Sequence, residues 1–249
     1  MAELAYDRIG IGYRTRRRAD SQIAKRLWGA LGDSGTVLNV GAGAGSYEPV
    51  DRPVVAVEPS LTMIQQRPAT AAPCVRALGE ALPFQDHSFD AVLGVLTLHH
   101  WANLADGLRE LSRVARKRIV LLTWDPESDE QFWLTRDYLP AVLEFDRARF
   151  PKMAELERHL GKLEVSHLPV PADCADGFRG SYWKRPQAYL NPDIQRSISS
   201  FAMLEPDVVK RFDARLAQDL DSGEWARRNE DLVECEAFDM GYRIAVAHL

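Results

Sequence analysis

The sequence predicts an α/β fold built on a mostly parallel sheet with helices on its faces. In the first half of the chain, short β-branched or apolar runs alternate with segments of helical periodicity, which is typical of such a sheet. The runs with the length and composition of strands are TVLNV (36–40), PVVAVE (53–58), CVRAL (74–78), FDAVLGVL (89–96), KRIVLLT (117–123), LEVSHLPV (163–170) and the final YRIAVAHL.

Helices are predicted where apolar residues recur at spacings of three and four. One covers 16–32, and the basic run at 14–18 is predicted to be a solvated face near its start; another covers 104–116. Residues 125–162 are predicted to be helical, and 171–232 are helical and crowded with Trp, Tyr, Pro and Arg. Because this last segment separates two strands, we predict that it folds over the sheet as a cap.

Composition limits the classes of partner and site. The chain has 249 residues, of which 46% are hydrophobic, enough for a substantial core. A formal net charge of -5 gives no electrostatic reason to expect a nucleic acid or an anionic membrane as partner. No signal sequence or membrane span is evident, so we expect a cytoplasmic protein. Three separated cysteines without a Cys-x-x-Cys pair predict reduced thiols, not disulfides or a zinc site.

The stretch VLNVGAGAGSYEP (37–49) places three glycines directly behind the first strand. Gly41, Gly43 and Gly45 lack a Cβ, so a ligand can approach the main chain and positive φ angles carry no steric penalty. Dinucleotide-binding folds use a similar turn, but their Gly-x-Gly-x-x-Gly pattern needs glycine where this chain has Ser46. Glu58 ends the second strand, where an acidic side chain can accept hydrogen bonds from both hydroxyls of a ribose.

Two further features flank the fourth strand. A Gly-Glu-x-Leu-Pro-Phe loop (79–84) precedes it, and a His-His-Trp cluster (99–101) follows it. With the glycine turn, this ordered set resembles the class I S-adenosylmethionine-dependent methyltransferases, in particular their small-molecule branch with an LPF…SFD stretch. The resemblance covers residues 5–123 and resumes in the last strand.

The resemblance implies a Rossmann-like sheet of seven strands, mostly parallel, with an antiparallel last strand and a helical cap inserted between the last two strands. It implies S-adenosylmethionine as cofactor and S-adenosylhomocysteine as product. We therefore predict a single methyltransferase domain, divided into an N-terminal lid and helix (1–35), a cofactor-binding core (36–125), helical and cap elements with one strand near 163–170 (126–235), and a closing strand (236–249).

The resemblance also implies which residues contact the cofactor. The glycines lie under its methionine part and ribose, Glu58 holds the ribose diol, and the loop at 79–80 borders adenine. The N-terminal YDRIGIGYRTRRRAD is similar to a family element that covers the cofactor, which assigns Arg17 to the cofactor's carboxylate and adds the hydroxyl of Tyr13. The predicted cofactor set is Tyr13, Arg17, Asn39, Gly41, Ala42, Gly43, Gly45, Glu58, Pro59, Gly79, Glu80 and Leu96.

Two positions depart from the family pattern. Asn39 stands where the family usually carries an acid, and Leu78 stands where an aspartate commonly accepts a hydrogen bond from the adenine amino group. Asn39 can accept a hydrogen bond but brings no charge, and Leu78 offers only apolar contact. The departures predict modest cofactor affinity unless other groups compensate, and they keep open a protein that binds cofactor without catalysing transfer.

The histidines after the fourth strand are the candidate catalytic residues. A sulfonium is already activated, so an enzyme mainly has to align the acceptor atom and exclude water. His99 or His100 could serve as general base toward a hydroxyl or an acidic carbon, while an unprotonated amine would need none. Adjacent residues point in different directions, so at most one should face the acceptor, and either could instead cap the strand or pack under Trp101. Adjacent histidines alone are not a metal-ligand set, so we expect no metal.

Aromatic residues are the candidate walls of an acceptor site. Phe178, Tyr182 and Trp183 in the cap, with Trp101, are predicted to contact a small-molecule acceptor, although the cap residues could instead form its own core. We predict an enzyme that methylates a small molecule on O, N or C, as a monomer or homodimer, with neither nucleic acid nor membrane as partner. A cofactor-binding protein without activity and a nucleotide-dependent oxidoreductase remain as alternatives.

Overall fold

The fold is built on a β-sheet. The structure, a computed structural model, describes residues 17–128 and 132–249. In the described ranges the strands are β1 (Val37–Val40), β2 (Val54–Val57), β3 (Cys74–Val75), β4 (Phe89–Val95), β5 (Ala115–Trp124), β6 (Leu163–His167), β7 (Val170–Pro171), β8 (Ala237–Phe238) and β9 (Tyr242–His248). Seven of them form one sheet in the order β3-β2-β1-β4-β5-β9-β6, and β7 pairs with β8 separately. Strands β1 to β5 pair in parallel, whereas β9 runs antiparallel to β5 and β6. The predicted sheet, including its antiparallel last strand, is confirmed.

Helices cover both faces of this sheet. They are α1 (Ser21–Leu31), α2 (Leu61–Gln65), α3 (Leu104–Val114), α4 (Pro140–Arg149), α5 (Met153–Leu160), α6 (Pro192–Ser197), α7 (Ser199–Ala202), α8 (Pro206–Asp221) and α9 (Glu224–Arg228). Apolar residues of α1 and of the segment 171–232 share one buried cluster on one face, and those of α3 and α5 share a second cluster on the other. The segment between β7 and β8 is therefore continuous with the main core.

Several predicted boundaries are wrong for identifiable reasons. Helix α1 begins at Ser21, not at 16, because the Asp20 carboxylate caps it by accepting hydrogen bonds from the backbone N–H groups of Gln22 and Ile23 at 2.9 and 3.1 Å. The described part of the basic run thus precedes the helix and is not a helix face. The strand predicted at 163–170 divides into β6 and β7 because Pro169 has no N–H to donate to the ladder.

Cys74, Cys174 and Cys235 are free thiols, as predicted. Among the helices of the described ranges, none is long and apolar enough to cross a membrane.

Candidate functional site

A cleft of about 900 Å³, partly open to solvent, lies at the carboxyl ends of β1, β2 and β4 and is called the first cleft. Parallel sheets commonly bind ligands at this edge, because the loops that follow the strands converge there. The predicted cofactor residues that line it are Arg17, Gly41, Gly43, Glu58, Pro59, Gly79, Glu80 and Leu96. Asn39, Ala42 and Gly45 do not line it, and Tyr13 lies outside the described residues.

The glycine turn follows β1 and has left-handed backbone at Gly41 (φ 69°), Gly43 (φ 52°) and Gly45 (φ 93°). A Cβ on Gly41 would stand 1.9 Å from the Thr97 hydroxyl oxygen, so this glycine is required by packing within the protein as well as by its backbone angle. Ala42 is buried beneath the turn. The sequence predicted the turn, and the structure shows that each of its three glycines packs against a different side chain: Gly41 against Thr97, Gly43 against Met63 and Gly45 against Ala71.

A buried ion pair between Arg67 and Glu48 stabilises the glycine turn. The guanidinium of Arg67 lies 2.6 Å from Glu48 Oε1 and donates to the backbone oxygen of Gly43 at 3.2 Å. Asn39 is 1% exposed, and its Nδ2 donates to the same Glu48 oxygen at 3.3 Å. Asn39 therefore supports the turn indirectly, and the acidic group near it is Glu48. Neither Glu48 nor Arg67 was recognisable from the sequence, because nothing in the local pattern pairs them.

Glu58 is held in the first cleft by main-chain donors. Its two carboxylate oxygens accept hydrogen bonds from the N–H groups of Gly43 and Ser60, each at 2.9 Å. The side chain is 6% exposed and follows β2 directly. Because the amides fix the carboxylate in one orientation, it is already placed to accept hydrogen bonds from a ligand that enters the cleft.

The far wall of the first cleft is built around Trp101. A Cβ on Gly79 would lie 2.9 Å from the indole ring, and one on Gly107 would lie 2.2 Å from it, so both glycines let the ring pack closely. Glu80 accepts a hydrogen bond from the N–H of Ala102 at 2.8 Å, which ties the loop to the residues after Trp101. The structure thus places Trp101 in the first cleft, not in the predicted acceptor wall. Leu78 also lines this cleft and is 48% exposed.

A second cavity, also partly open to solvent, lies beneath the cap and adjoins the first cleft. Arg17 and Leu96 line both spaces, so the two spaces meet at these residues, and this place is called the boundary. Leu96 has φ 48°, a costly conformation for a residue with a branched side chain, and such strain is commonly found at functional sites. The second cavity is lined by the rings of Trp124, Phe150, Phe178 and Tyr242, by His99, by Ser197, Ser199 and Ser200, and by the ion pair of Asp146 with Arg179 at 3.1 Å.

His99 and His100 occupy one helical turn after β4 and face different spaces. His99 lines the second cavity and stacks on Phe150 with ring centroids 3.9 Å apart, whereas His100 lines the first cleft. Burial and nearby positive charges, including Arg149, lower the pKa of His99 well below its usual value and lower the pKa of His100 to about 3. Both rings are therefore neutral at pH 7. The Nδ1 atom of His99 is buried and has no hydrogen-bond partner among the described residues.

Arg17 connects the N-terminal segment to the cap. Its Nε donates to Asp176 Oδ1 at 2.6 Å and its terminal nitrogen donates to Oδ2 at 3.3 Å. Asp176 is 1% exposed and also accepts hydrogen bonds from the hydroxyl of Tyr47 at 2.8 Å and the N–H of Gly177 at 2.7 Å. The side chain of Ser46 donates to the Arg17 backbone oxygen at 3.1 Å. The N-terminal segment, the glycine turn and the cap thus meet at one buried carboxylate, which the sequence did not reveal.

The predicted aromatic wall separates into different environments. Phe178 lines the second cavity and packs edge-on against Tyr242, with ring centroids 4.9 Å apart. Trp183 is fully buried, and its indole N–H donates to the backbone oxygen of Val170 at 3.0 Å, so it is a core residue. Tyr182 is half-buried and lines neither space. Of the three cap residues, only Phe178 lines the second cavity.

The part of the chain that the structure describes contains no candidate metal site. Within residues 17–128 and 132–249, no group of three or more His, Cys, Asp or Glu side chains could hold a metal ion.

The chain is similar to known proteins over most of its length. Residues 38–122 match a family described as a methyltransferase domain. A solved structure from Anabaena variabilis, described as a candidate methyltransferase from an antibiotic biosynthesis pathway, is 31% identical with a TM-score of 0.86, covering 94% of this chain and 99% of that one. An uncharacterized protein of Mycobacterium tuberculosis is 27% identical over 218 residues, 73% of each chain. Geranyl diphosphate C-methyltransferase of Streptomyces coelicolor, solved with S-adenosyl-L-homocysteine, shares the fold at 16% identity and a TM-score of 0.50, covering 92% of this chain and 75% of that one.

Proposed function

Because this chain belongs to the class I S-adenosylmethionine-dependent methyltransferases, we propose that it transfers a methyl group from S-adenosylmethionine to a small-molecule acceptor bound in the second cavity. The proposal rests mainly on the observation that the first cleft and the second cavity are joined at the boundary. Two spaces of unlike lining meet at Leu96 and Arg17, as a reaction between two ligands requires.

The residues of the first cleft fit the cofactor. Glu58 presents a fixed carboxylate to a ribose diol, and the close packing of Trp101 on Gly79 forms a flat wall for a base. Arg17 lines the same cleft, where its guanidinium, already paired with Asp176, can also donate to a ligand carboxylate. When bound, the cofactor supplies a methyl group on a sulfonium that is already activated for transfer. The chain's own contribution is to hold both ligands in line and to exclude water.

The second cavity supports an acceptor with an apolar body and polar substituents. Trp124, Phe150 and Phe178 provide aromatic surface, while Asp146 and Arg179 provide opposite charges that can orient a polar group. Neutral His99 can accept a hydrogen bond from an acceptor hydroxyl. Its lowered pKa makes it a weak base, so binding and alignment carry more of the reaction than proton removal does.

Calorimetric titration with S-adenosylhomocysteine tests the cofactor part of this proposal. The wild-type chain should bind, and Glu58→Ala should bind at least about tenfold more weakly, because a charge-assisted hydrogen bond contributes roughly 1.5–3 kcal/mol. The matched control is Glu144→Ala, which removes an exposed carboxylate on α4 and should bind like the wild type. Absence of binding up to millimolar concentration would refute the proposal.

Transfer of a labelled methyl group tests the catalytic part. The protein is incubated with labelled S-adenosylmethionine and a metabolite extract, and products are separated by mass spectrometry. Labelled small molecules that depend on the protein support the proposal. Cofactor binding without any labelled product would favour the non-catalytic alternative, and binding of NAD in place of S-adenosylhomocysteine would favour the oxidoreductase.

A further inference from the structure

Arg149, the last residue of α4, is a half-buried guanidinium in the first cleft. Its terminal nitrogen donates to the backbone oxygen of His99 at 3.1 Å and lies 3.5 Å from Nδ1 of His100, and the group stands 5.0 Å from the centre of the Phe145 ring. Within the described ranges, no ion pair joins Arg149 to a carboxylate. Arg17 and Arg179, by contrast, each pair with an aspartate within 3.1 Å.

Arg149 lies close to the place where the two spaces join. Arg149 lines the first cleft beside His100, and it also donates to the backbone oxygen of His99, whose side chain lines the second cavity; it therefore stands next to the turn that separates the two spaces. The acceptor atom must reach the donor carbon at the same place, because the two ligands meet only where the spaces join. Arg149 is therefore within reach of the reacting part of an acceptor.

Of the three guanidiniums that line the two spaces in the described residues, Arg149 has no carboxylate partner. Arg17 pairs with Asp176, Arg179 pairs with Asp146, and the two histidine rings are neutral. Glu58 and Glu80 also line the first cleft; they accept hydrogen bonds from main-chain N–H groups, and no ion pair joins either of them to Arg149 in the described residues. A guanidinium removed partly from water without a counter-charge favours an anionic ligand, because its planar donors match two oxygens.

We propose that the acceptor is an oxyanion, a carboxylate or an ionised phenol or enol, and that Arg149 holds this group from the side of the first cleft next to the boundary; this rests on the proposed function. An oxygen lone pair forms the bond to the methyl carbon while that carbon's bond to sulfur breaks. The bonding pair stays on sulfur, which becomes a neutral thioether. No proton leaves, because the acceptor oxygen is already ionised. A protonated amine is disfavoured, since it would face the guanidinium of Arg149, which has no carboxylate partner among the described residues.

The experiment measures binding of probe anions to the protein saturated with S-adenosylhomocysteine. Benzoate and 4-nitrophenolate supply an oxyanion on an aromatic body that suits the aromatic lining of the second cavity, and benzamide is the neutral counterpart of benzoate. The variant is Arg149→Gln, and the matched control is Arg147→Gln, which removes an exposed guanidinium from the same helix. Thermal melts of both variants establish that they fold.

The wild type and Arg147→Gln should bind at least one of the two anions about tenfold more tightly than benzamide, and Arg149→Gln should lose this preference. The anion that binds more tightly distinguishes a carboxylate acceptor from an ionised phenol. Equal binding of anions and benzamide, or an unchanged preference in a folded Arg149→Gln, overturns the inference. A selective loss of S-adenosylhomocysteine binding in Arg149→Gln, with adenosine unaffected, also overturns it, because Arg149 would then hold the cofactor's carboxylate.

These outcomes separate the inference from the function on which it rests. If the wild type binds S-adenosylhomocysteine but shows no preference for an anion, the proposed function stands and the oxyanion acceptor is wrong. If the wild type does not bind S-adenosylhomocysteine at all, the proposed function fails, and the inference fails with it.

Discussion

Removal of the Arg17 guanidinium should destabilise the protein in addition to weakening cofactor binding. Asp176 is buried, and Arg17→Met would leave its charge with two remaining donors, the Tyr47 hydroxyl and the Gly177 N–H. Breaking a buried pair by removing one partner costs about 3–5 kcal/mol, and the remaining donors place the expected loss near the lower end, about 3 kcal/mol. For a chain of this size that loss corresponds to a decrease in melting temperature of about 6–12 °C.

A double-mutant cycle isolates the interaction. Asp176→Asn should cost less than Arg17→Met, because the 12% exposed Arg17 side chain can turn toward water once its partner is neutral. The double variant should be more stable than the sum of the single effects predicts, by about 2 kcal/mol, since it leaves no buried unpaired charge. Denaturant unfolding of the four proteins measures this coupling. Single effects that add within about 0.5 kcal/mol would refute the view that Arg17 and Asp176 stabilise the fold as a pair.

The same variants test the predicted ligand contact of Arg17. Arg17→Met should weaken binding of S-adenosylhomocysteine far more than binding of adenosine, because only the former carries a carboxylate. Asp176→Asn keeps the guanidinium and should not discriminate between the two ligands. Equal losses for both ligands in Arg17→Met would mean that Arg17 acts through folding alone.

Three other substitutions give independent checks. Gly41→Ala should abolish binding of S-adenosylhomocysteine and lower the melting temperature, whereas Gly161→Ala, also at positive φ but with open space around it, should show only modest strain; similar effects would contradict the packing argument. Trp183→Leu should lower the melting temperature by removing core volume, while Phe178→Leu should mainly impair acceptor turnover; the reverse order would reassign both. The pKa of His100 is lowered from 6.5 to about 3 in the folded state, so its contribution to stability is present above pH 6.5 and is lost as the pH falls toward 3, by about 1.4 kcal/mol per pH unit. The free energy of unfolding of His100→Gln should therefore depend less steeply on pH in this range than that of the wild type. An unchanged slope would contradict this prediction.

The first half of the chain was predictable because its signals are local. Glycines after a strand, an acidic residue at the end of the next strand and period-dependent apolar runs are consequences of backbone geometry that neighbouring residues express together. The mostly parallel sheet and the glycine turn follow from that pattern, and so does the position of Glu58; the seven strands with an antiparallel last strand were implied by the resemblance to the family. Errors at this level, such as the start of α1, were boundary errors that a single capping side chain decided.

Tertiary structure alone decided how distant segments complete the site. Asp176 meets Arg17 across 159 positions, and Asp146 meets Arg179, pairings that no local periodicity encodes. Trp183 and Phe178 carry similar aromatic signals in the sequence, yet one is a core residue and the other lines a cavity. Sequence by itself thus determined the sheet and the ligand-binding turn. Only the packing of the cap decided which side chains line the second cavity, because burial and electrostatics depend on neighbours brought together by the whole fold.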